Sequence, residues 1–79
     1  MKQALAFIIS SIVEKTDSVQ IDEAEQDGVI TFTVTVDKED MGKVIGKEGK
    51  IIRSIRNVMK IPAMKAGKKI TISLNETAQ

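Results

Sequence analysis

Two glycines spaced three residues apart carry the clearest chemical signal in this sequence. The stretch MGKVIGKEGKIIRSIR places Gly46 and Gly49 on either side of Lys47 and Glu48. Four basic residues lie in or near this glycine pair: Lys43, Lys47, Lys50 and Arg53. Glycine lets a ligand approach the backbone closely, and backbone N–H groups and lysines suit phosphate oxygens. The pattern therefore indicates phosphate binding, and the question is which kind of phosphate.

Neither of the common loops that hold a nucleotide cofactor fits this stretch. A Walker A loop has the form G-x-x-x-x-G-K-[ST], but the residue five positions after Gly42 is Lys47, and the residue five after Gly46 is Ile51. The dinucleotide fingerprint G-x-G-x-x-G lies between a strand and a long helix, whereas a helical pattern precedes Gly46 here. We therefore expect no nucleotide cofactor.

Two interpretations of the glycine pair remain open on these grounds. In the first, it joins two helices and glycine only permits the bend. In the second, the first N–H groups of the following helix bind a nucleic-acid backbone, because they lack partners and lie at the positive end of the helix dipole. Val44, Ile45 and Ile52 then offer aliphatic surface to base faces. The clustering of basic residues favours the second interpretation.

The composition argues against catalysis and against metal binding. The 79 residues include no cysteine and no histidine, which removes disulfides, thiolate ligands and the commonest general base. No run approaches the roughly 18 apolar residues that cross a membrane, and the first residues do not resemble a signal peptide. We expect a single domain over residues 1–79 that is cytoplasmic and is not an enzyme.

Charge is distributed unevenly along a chain that is nearly neutral overall. Residues 1–37 hold two basic and seven acidic side chains, a balance of −5, whereas residues 38–79 hold ten basic and four acidic, a balance of +6. Such asymmetry indicates either a surface that meets a polyanion or a dipolar surface that only aids solubility. The glycine pair lies in the basic half.

The residues before the glycine pair predict one helix and a β-hairpin. An apolar stripe at helical spacing consists of Leu5, Ile8, Ile9, Ile12 and Val13. Phe7 falls on the opposite side, where we expect it to pack on another edge of the fold rather than on a partner. Two strand-like runs, VQIDEAE and VITFTVTV, flank Asp27-Gly28, which is a strong hairpin signal. The first run is acidic and predicts an edge strand, and the second alternates apolar residues with threonine, as in a sheet covered on one face.

The glycine pair itself is expected between two helices. Asp37 is the predicted N-cap of a short helix with Glu39 and Asp40 in its first turn, and Gly46 ends that helix. The next helix begins at or just after Gly49. Its predicted buried stripe is Ile51, Ile52, Ile55, Val58 and Met59. Its predicted wet face is Lys50, Arg53, Asn57 and Lys60, with Arg56 flanking it.

Pro62 leaves the end of this helix open. The helix either stops near Lys60 or continues, with a kink, through residues 63–66 to Gly67 as its natural C-cap. A last strand follows, with Ile70, Ile72 and Leu74 on one face. The order of elements is α-β-β-α-α-β, and the predicted fold class is α+β, with helices covering one face of a three-stranded sheet.

The segment VIGKEGKII resembles the V-I-G-x-x-G-x-x-I signature of KH domains, and the predicted order of elements is that of a type II KH domain. Nearly the whole chain is similar to the small stand-alone KH proteins of the KhpA (YlqC) type, including the acidic first strand and the closing GKKITISL. The resemblance implies that a GXXG loop clamps about four nucleotides of single-stranded RNA.

Carried over to this sequence, the resemblance assigns nine residues to RNA binding. The clamp is Gly46, Lys47, Glu48 and Gly49. Ile45 and Ile52 support the floor of the groove. The neighbouring contacts to phosphates or base edges are Lys43, Lys50 and Arg53. Because Glu48 repels phosphate and aromatic stacking partners are lacking, we expect weak binding with limited sequence preference.

The resemblance also implies protein partners. In this family the last helix takes part in homodimers and in heterodimers with a larger KH protein of the KhpB/Jag type. Pro62 departs from the helix formers that are usual there. The leading hypothesis is a cofactor-free RNA-binding protein, an RNA chaperone or post-transcriptional regulator. The alternative is a dimerisation module in which RNA contact is secondary and Phe7 and residues 59–64 supply the apolar surface.

Overall fold

The computed structural model describes residues 1–77 and contains the six elements in the predicted order. The helices are α1 (Lys2–Ile12), α2 (Met41–Ile45) and α3 (Lys50–Lys65). The strands are β1 (Gln20–Gln26), β2 (Val29–Val36) and β3 (Lys69–Glu76). Short 3₁₀ turns lie at Thr16–Ser18 and Lys47–Gly49. The predicted α-β-β-α-α-β order is confirmed.

The three strands form one mixed sheet in the order β1-β2-β3, with β1 antiparallel and β3 parallel to β2. Gln26 pairs with Val29, so the β1–β2 connection has only two residues, Asp27 and Gly28, at φ 53° and 77°. A type I′ hairpin turn requires positive φ at both of its central residues, and the Asp-Gly pair predicts this type of turn. β1 lies at an edge, where its acidic side chains discourage pairing with another chain.

The core lies between the helices and one face of the sheet. In β2, Ile30, Phe32, Val34 and Val36 are fully buried, whereas the threonines that alternate with them are half-buried on the opposite face. The helices contribute a second set of buried side chains, which includes Leu5, Ile9, Val44, Ile55 and Met59. The prediction of a sheet covered on one face is confirmed, and burial of this aliphatic cluster is the main stabilising term.

Three apolar side chains lie outside the core, contrary to expectation. Phe7 is 75% exposed, so its predicted packing on another edge of the fold is wrong. Ile51 and Val58, predicted in the buried stripe of α3, are exposed as well. The buried stripe consists of Ile52, Ile55, Met59 and Ala63. Ile51 and Val58 are each one position away from it, and they lie on the flank of α3 that faces α1.

The helix before the glycine pair begins later than predicted. α2 starts at Met41 with Asp40 as its N-cap, so Asp37 is not the cap and Glu39 and Asp40 precede the first turn. Instead, the side-chain carboxylate of Asp37 accepts a hydrogen bond from the N–H of Glu39 at 2.9 Å. The backbone carbonyl of Asp37 accepts a second one from the N–H of Asp40 at 2.8 Å. This local turn competes with helix formation over residues 38–40.

α3 runs through Pro62 to Lys65, so the second of the two alternatives for this helix is the correct one. Met59 and Ala63 are buried on either side of the proline, and their packing holds the helix across the missing hydrogen bond. Gly67, at φ 72°, ends the helix in a Schellman motif, since its N–H donates to Met64 and that of Lys68 donates to Ala63. No helix in residues 1–77 is both long and apolar enough to cross a membrane.

Candidate nucleic-acid interface

The glycine turn, residues 46–49, joins α2 directly to α3. Gly46 has φ 75° and ψ 175°, a conformation that is essentially restricted to glycine. A Cβ atom at this position would lie 2.5 Å from Cγ1 of Ile51, so close packing also requires glycine. The prediction that Gly46 ends the preceding helix is confirmed, since its N–H donates to the Gly42 carbonyl at 2.9 Å.

The other end of the glycine turn is open. Gly49 (φ 73°, ψ 17°) and Glu48 (φ 56°, ψ 25°) both have a left-handed backbone. A Cβ atom added to Gly49 would meet no other atom of residues 1–77 within 4 Å. A ligand can therefore approach the backbone at Gly49 without displacing protein atoms.

Some backbone donors of the turn are engaged within the fold and others are not. The N–H of Lys50, the first residue of α3, donates to the Lys47 carbonyl, and the N–H of Gly49 donates to the Gly46 carbonyl at 3.2 Å. Among the hydrogen bonds formed within the described part of the chain, none uses the N–H of Lys47 or Glu48. These two adjacent groups are donors that the turn can present to a ligand, whereas the N–H of Lys50, the first of the predicted helix donors, is engaged within the fold.

Three of the four predicted cationic contacts lie at exposed positions around the turn. Lys47 and Lys50 form no ion pair with any residue between 1 and 77. The guanidinium of Arg53 donates from Nη2 to the Glu48 carbonyl at 3.5 Å, so it lies against the turn. The two ammonium groups are thus free to meet an anion.

The fourth predicted contact, Lys43, has a different environment. Its Nζ lies 2.6 Å from Oε1 of Glu14 and 3.5 Å from Oδ1 of Asp40. The hydrogen bond to Glu14 and the nearby carboxylates raise the pKa of Lys43. The charge of Lys43 is therefore already compensated by carboxylates of the same chain, which distinguishes it from Lys47 and Lys50.

Asp40 organises this side of the site and was not expected to do so. It is only 2% exposed, and its carboxylate accepts the N–H groups of Lys15 at 2.9 Å and Glu14 at 3.2 Å. The bond from the Lys15 backbone is the main reason why the pKa of Asp40 lies below its usual value. Because Asp40 also precedes α2, it ties the segment that follows α1 to the helix that leads into the glycine turn. The local sequence holds no signal that separates it from Asp37.

The aliphatic residues beside the turn divide into two kinds. Ile45 is 37% exposed and offers a small apolar surface to a base. Val44 is fully buried and Ile52 is 6% exposed, so the expectation that bases pack on these two side chains is wrong. Both side chains belong to the buried core cluster.

The two flanks of α3 differ in chemistry. Arg53, Arg56 and Lys60 share one flank through their spacing of three and four residues. This basic flank leads to a cavity of about 240 Å³ between α3 and β3, lined by Lys60, Ala63, Met64, Lys68, Lys69 and Ile70. The opposite flank forms the α1–α3 groove, of about 410 Å³, lined by Ile8, Lys50, Ile51, Ser54, Ile55 and Val58. A basic track therefore extends from the turn along one side of α3.

The lysines at the far end of this track were not among the predicted site residues. Lys68 immediately precedes β3 and Lys69 begins it, 19 and 20 residues beyond Gly49, and only the packing of α3 on β3 brings them beside Lys60. Lys68 is partly compensated, since its Nζ lies 2.8 Å from Glu25 of β1. The spacing of Arg53, Arg56 and Lys60 is the one sequence signal that points in this direction.

Comparison with known proteins assigns the chain to a family. The family model "KhpA/KhpB, KH domain" matches residues 2–74. A relative in Clostridium acetobutylicum named "RNA-binding protein KhpA" is 42% identical over 74 residues, which cover 94% of this chain and 99% of the relative. Relatives of the same name in Chlamydia trachomatis and Listeria monocytogenes are each 36% identical over 76 residues, covering 96% of this chain and 97% and 100% of theirs. The chain belongs to the KhpA/KhpB family of KH domains.

Proposed function

We propose that this protein binds single-stranded RNA through the backbone of its glycine turn. The observation that carries the proposal is the pair of unpaired donors, the N–H groups of Lys47 and Glu48, on an exposed turn with two unpaired ammonium groups. Relatives that are 36–42% identical are named RNA-binding proteins, which supports RNA as the ligand. A phosphate oxygen accepts hydrogen bonds from adjacent N–H groups, and Gly49 lets the sugar–phosphate chain approach closely.

The basic flank of α3 gives the strand a path away from the turn. Arg53, Arg56 and Lys60 lie along it at exposed positions, and they attract phosphates without reading bases. Residues 41–60, which hold the turn and the basic flank, include no aromatic side chain for base stacking, and Glu48 repels phosphate. Binding is therefore weak and has limited sequence preference. Such binding suits an RNA chaperone or post-transcriptional regulator that works in the cytoplasm, takes no cofactor and catalyses no reaction.

The test compares the wild type with a variant in which Lys47 and Glu48 are both changed to Asp. Because two carboxylates then flank the donors, we expect the affinity for a short single-stranded RNA to fall by at least about tenfold. The control is Lys2→Asp, which makes the same change in net charge at the start of α1 and should alter affinity by less than about twofold. Equal affinity of the double variant and the wild type contradicts the role of the turn.

Salt dependence provides an independent test of phosphate contact. About three contacts to the phosphates of a single strand give a slope near −2 when the logarithm of the binding constant is plotted against the logarithm of the salt concentration. The double variant should show a shallower slope. A wild-type slope near zero contradicts a phosphate clamp.

A second function, association with another protein, is favoured by a separate observation. Phe7, Ile61 and Met64 are exposed apolar side chains, and the α1–α3 groove is almost wholly apolar. Met59 and Ala63 belong to the core, so the apolar surface on residues 59–64 is narrower than predicted. The partners that fit such a surface are a second copy of this chain and a larger KH protein of the KhpB/Jag type.

Sedimentation at high micromolar concentration tests this second function. Val58→Asp places a charge in the α1–α3 groove without altering the core, and we expect it to shift a dimer toward monomer. Asn57→Asp is the matched control, because it makes the same change in charge one residue away, at an exposed position that does not line the groove. A wild type that is strictly monomeric and shows no affinity for a KhpB-type partner contradicts the second function.

A further inference from the structure

Glu48 is the one residue of the glycine turn whose charge opposes phosphate binding. It also has a left-handed backbone, at φ 56° and ψ 25°, where glycine or asparagine fits with less strain. Among residues 1–77, the only other non-glycine residue with positive φ is Asp27, in a hairpin that requires it. Strained positions are concentrated at functional sites, so the presence of glutamate here calls for an explanation.

The carboxylate of Glu48 is unpaired although three cations lie nearby. None of the ion pairs formed within the described residues includes Glu48. Arg53 donates to the Glu48 carbonyl, not to its carboxylate. The carboxylate is exposed and therefore keeps its full capacity to accept hydrogen bonds from a ligand.

A strand bound to the turn brings suitable donors within reach of this carboxylate. A phosphate that is hydrogen-bonded to the N–H of Glu48 lies within one side-chain length of the Glu48 carboxylate. Because both groups are negatively charged, the carboxylate turns away from the phosphate oxygens. The nearest donor on a ribonucleotide is the 2′-hydroxyl, because it is attached to the carbon next to the one that bears the 3′ phosphate. The donors on the bases lie farther from the backbone and differ from base to base.

We propose that the Glu48 carboxylate accepts a hydrogen bond from a ribose 2′-hydroxyl and thereby selects RNA over single-stranded DNA. The inference rests on the proposed function, since it requires a strand on the glycine turn. The 2′-hydroxyl is the group by which proteins distinguish the two nucleic acids. Glu48 thus lowers the affinity for every strand through repulsion, and it recovers part of that affinity for RNA alone.

The experiment measures the affinities of the wild type and Glu48→Gly for three oligonucleotides of one base sequence. They are RNA, DNA, and RNA in which each 2′-hydroxyl is replaced by fluorine, which preserves the sugar pucker but donates no hydrogen bond. Glycine accepts a left-handed backbone, so the variant should fold. We expect the wild type to bind RNA about fivefold more tightly than the other two strands. Glu48→Gly should bind all three within about twofold of one another, and DNA more tightly than the wild type does.

Glu48→Gln is the graded control, because it keeps an acceptor oxygen without the charge and should retain part of the preference. If Glu48→Gly keeps the wild-type preference for RNA, or if the wild type binds RNA and DNA equally, the inference is overturned while RNA binding stands. If the wild type binds none of the strands, the proposed function is overturned together with the inference.

Discussion

The two halves of residues 40–50 behave differently although they are contiguous. In the inner half, residues 40–46, Asp40 holds the segment that follows α1, Lys43 pairs with Glu14, and Gly46 packs on Ile51. In the outer half, residues 47–50, two N–H groups, two ammonium groups and the face of Gly49 have no partner within residues 1–77. The comparison indicates that the fold fixes the inner half so that the outer half can be presented to a ligand in one geometry.

Gly46→Ala should produce the largest change in stability. Its backbone conformation is closed to alanine, and the new Cβ atom would overlap Ile51. We expect a loss of about 3 kcal/mol or more in the free energy of unfolding, which lowers the Tm by roughly 12 °C or more in a domain of this size. Urea unfolding measures the loss, and a change below about 1 kcal/mol contradicts the role assigned to the inner half.

Asp40→Asn should also destabilise the inner half, because an amide offers one acceptor oxygen where the backbone presents two donors. The pKa of Asp40 is lowered in the folded protein, so its contribution to stability is present above the usual value of 3.8 and is lost as the pH falls further. Thermal unfolding of both proteins should show a Tm difference that is constant near neutral pH and narrows below pH 3.8. If the Tm difference between the two proteins stays the same at lower pH, the ionised carboxylate of Asp40 does not stabilise the fold.

Gly49→Ala tests whether the outer half is open for a ligand. Its left-handed backbone costs alanine about 1 kcal/mol, but the Cβ atom meets no neighbour within the described chain. Gly28→Ala is a matched control, since Gly28 has φ 77° and equally open surroundings in the β1–β2 turn. Both variants should lose similar stability, while Gly49→Ala alone weakens RNA binding, by about threefold or more in fluorescence anisotropy. Equal RNA affinities of the two variants contradict close approach at Gly49.

Substitutions of Lys43 and Lys47 should have the smallest effects, and they distinguish the inner half from the outer half most selectively. Lys43→Gln breaks the surface ion pair with Glu14 and should lower the Tm slightly with little effect on RNA affinity. Lys47→Gln should leave the Tm unchanged and reduce the salt slope of RNA binding by about 0.7, the value for one phosphate contact on a single strand. If Lys43→Gln reduces the salt slope and Lys47→Gln lowers the Tm instead, the division into inner and outer halves is contradicted.

The order and type of the elements follow from the sequence because their signals are local. Alternation in VITFTVTV, the Asp27-Gly28 pair and the stripe of Leu5 and Ile9 each specify an element through its own periodicity or turn chemistry. The errors in the predicted core occur where tertiary contacts decide which side chains are buried. Helical spacing alone does not reveal that Ile51 and Val58 lie beyond the edge of the buried stripe, or that Phe7 is exposed.

The candidate site shows the same division. The glycine spacing and the surrounding lysines are visible in the sequence, and so is the resemblance that they support. The identity of the free donors is not, because it depends on the 3₁₀ turn that engages the N–H groups of Gly49 and Lys50. The burial of Asp40 and the engagement of Lys43 depend on residues 25–29 positions away in the chain.

Amide chemical-shift titration of the isotope-labelled protein with a short single-stranded RNA tests the role of the outer half most directly. We expect the largest shifts at the N–H groups of Lys47 and Glu48, smaller shifts along Arg53, Arg56 and Lys60, and little change at Lys43. Largest shifts in the α1–α3 groove, with Lys47 and Glu48 unchanged, would contradict the proposed clamp.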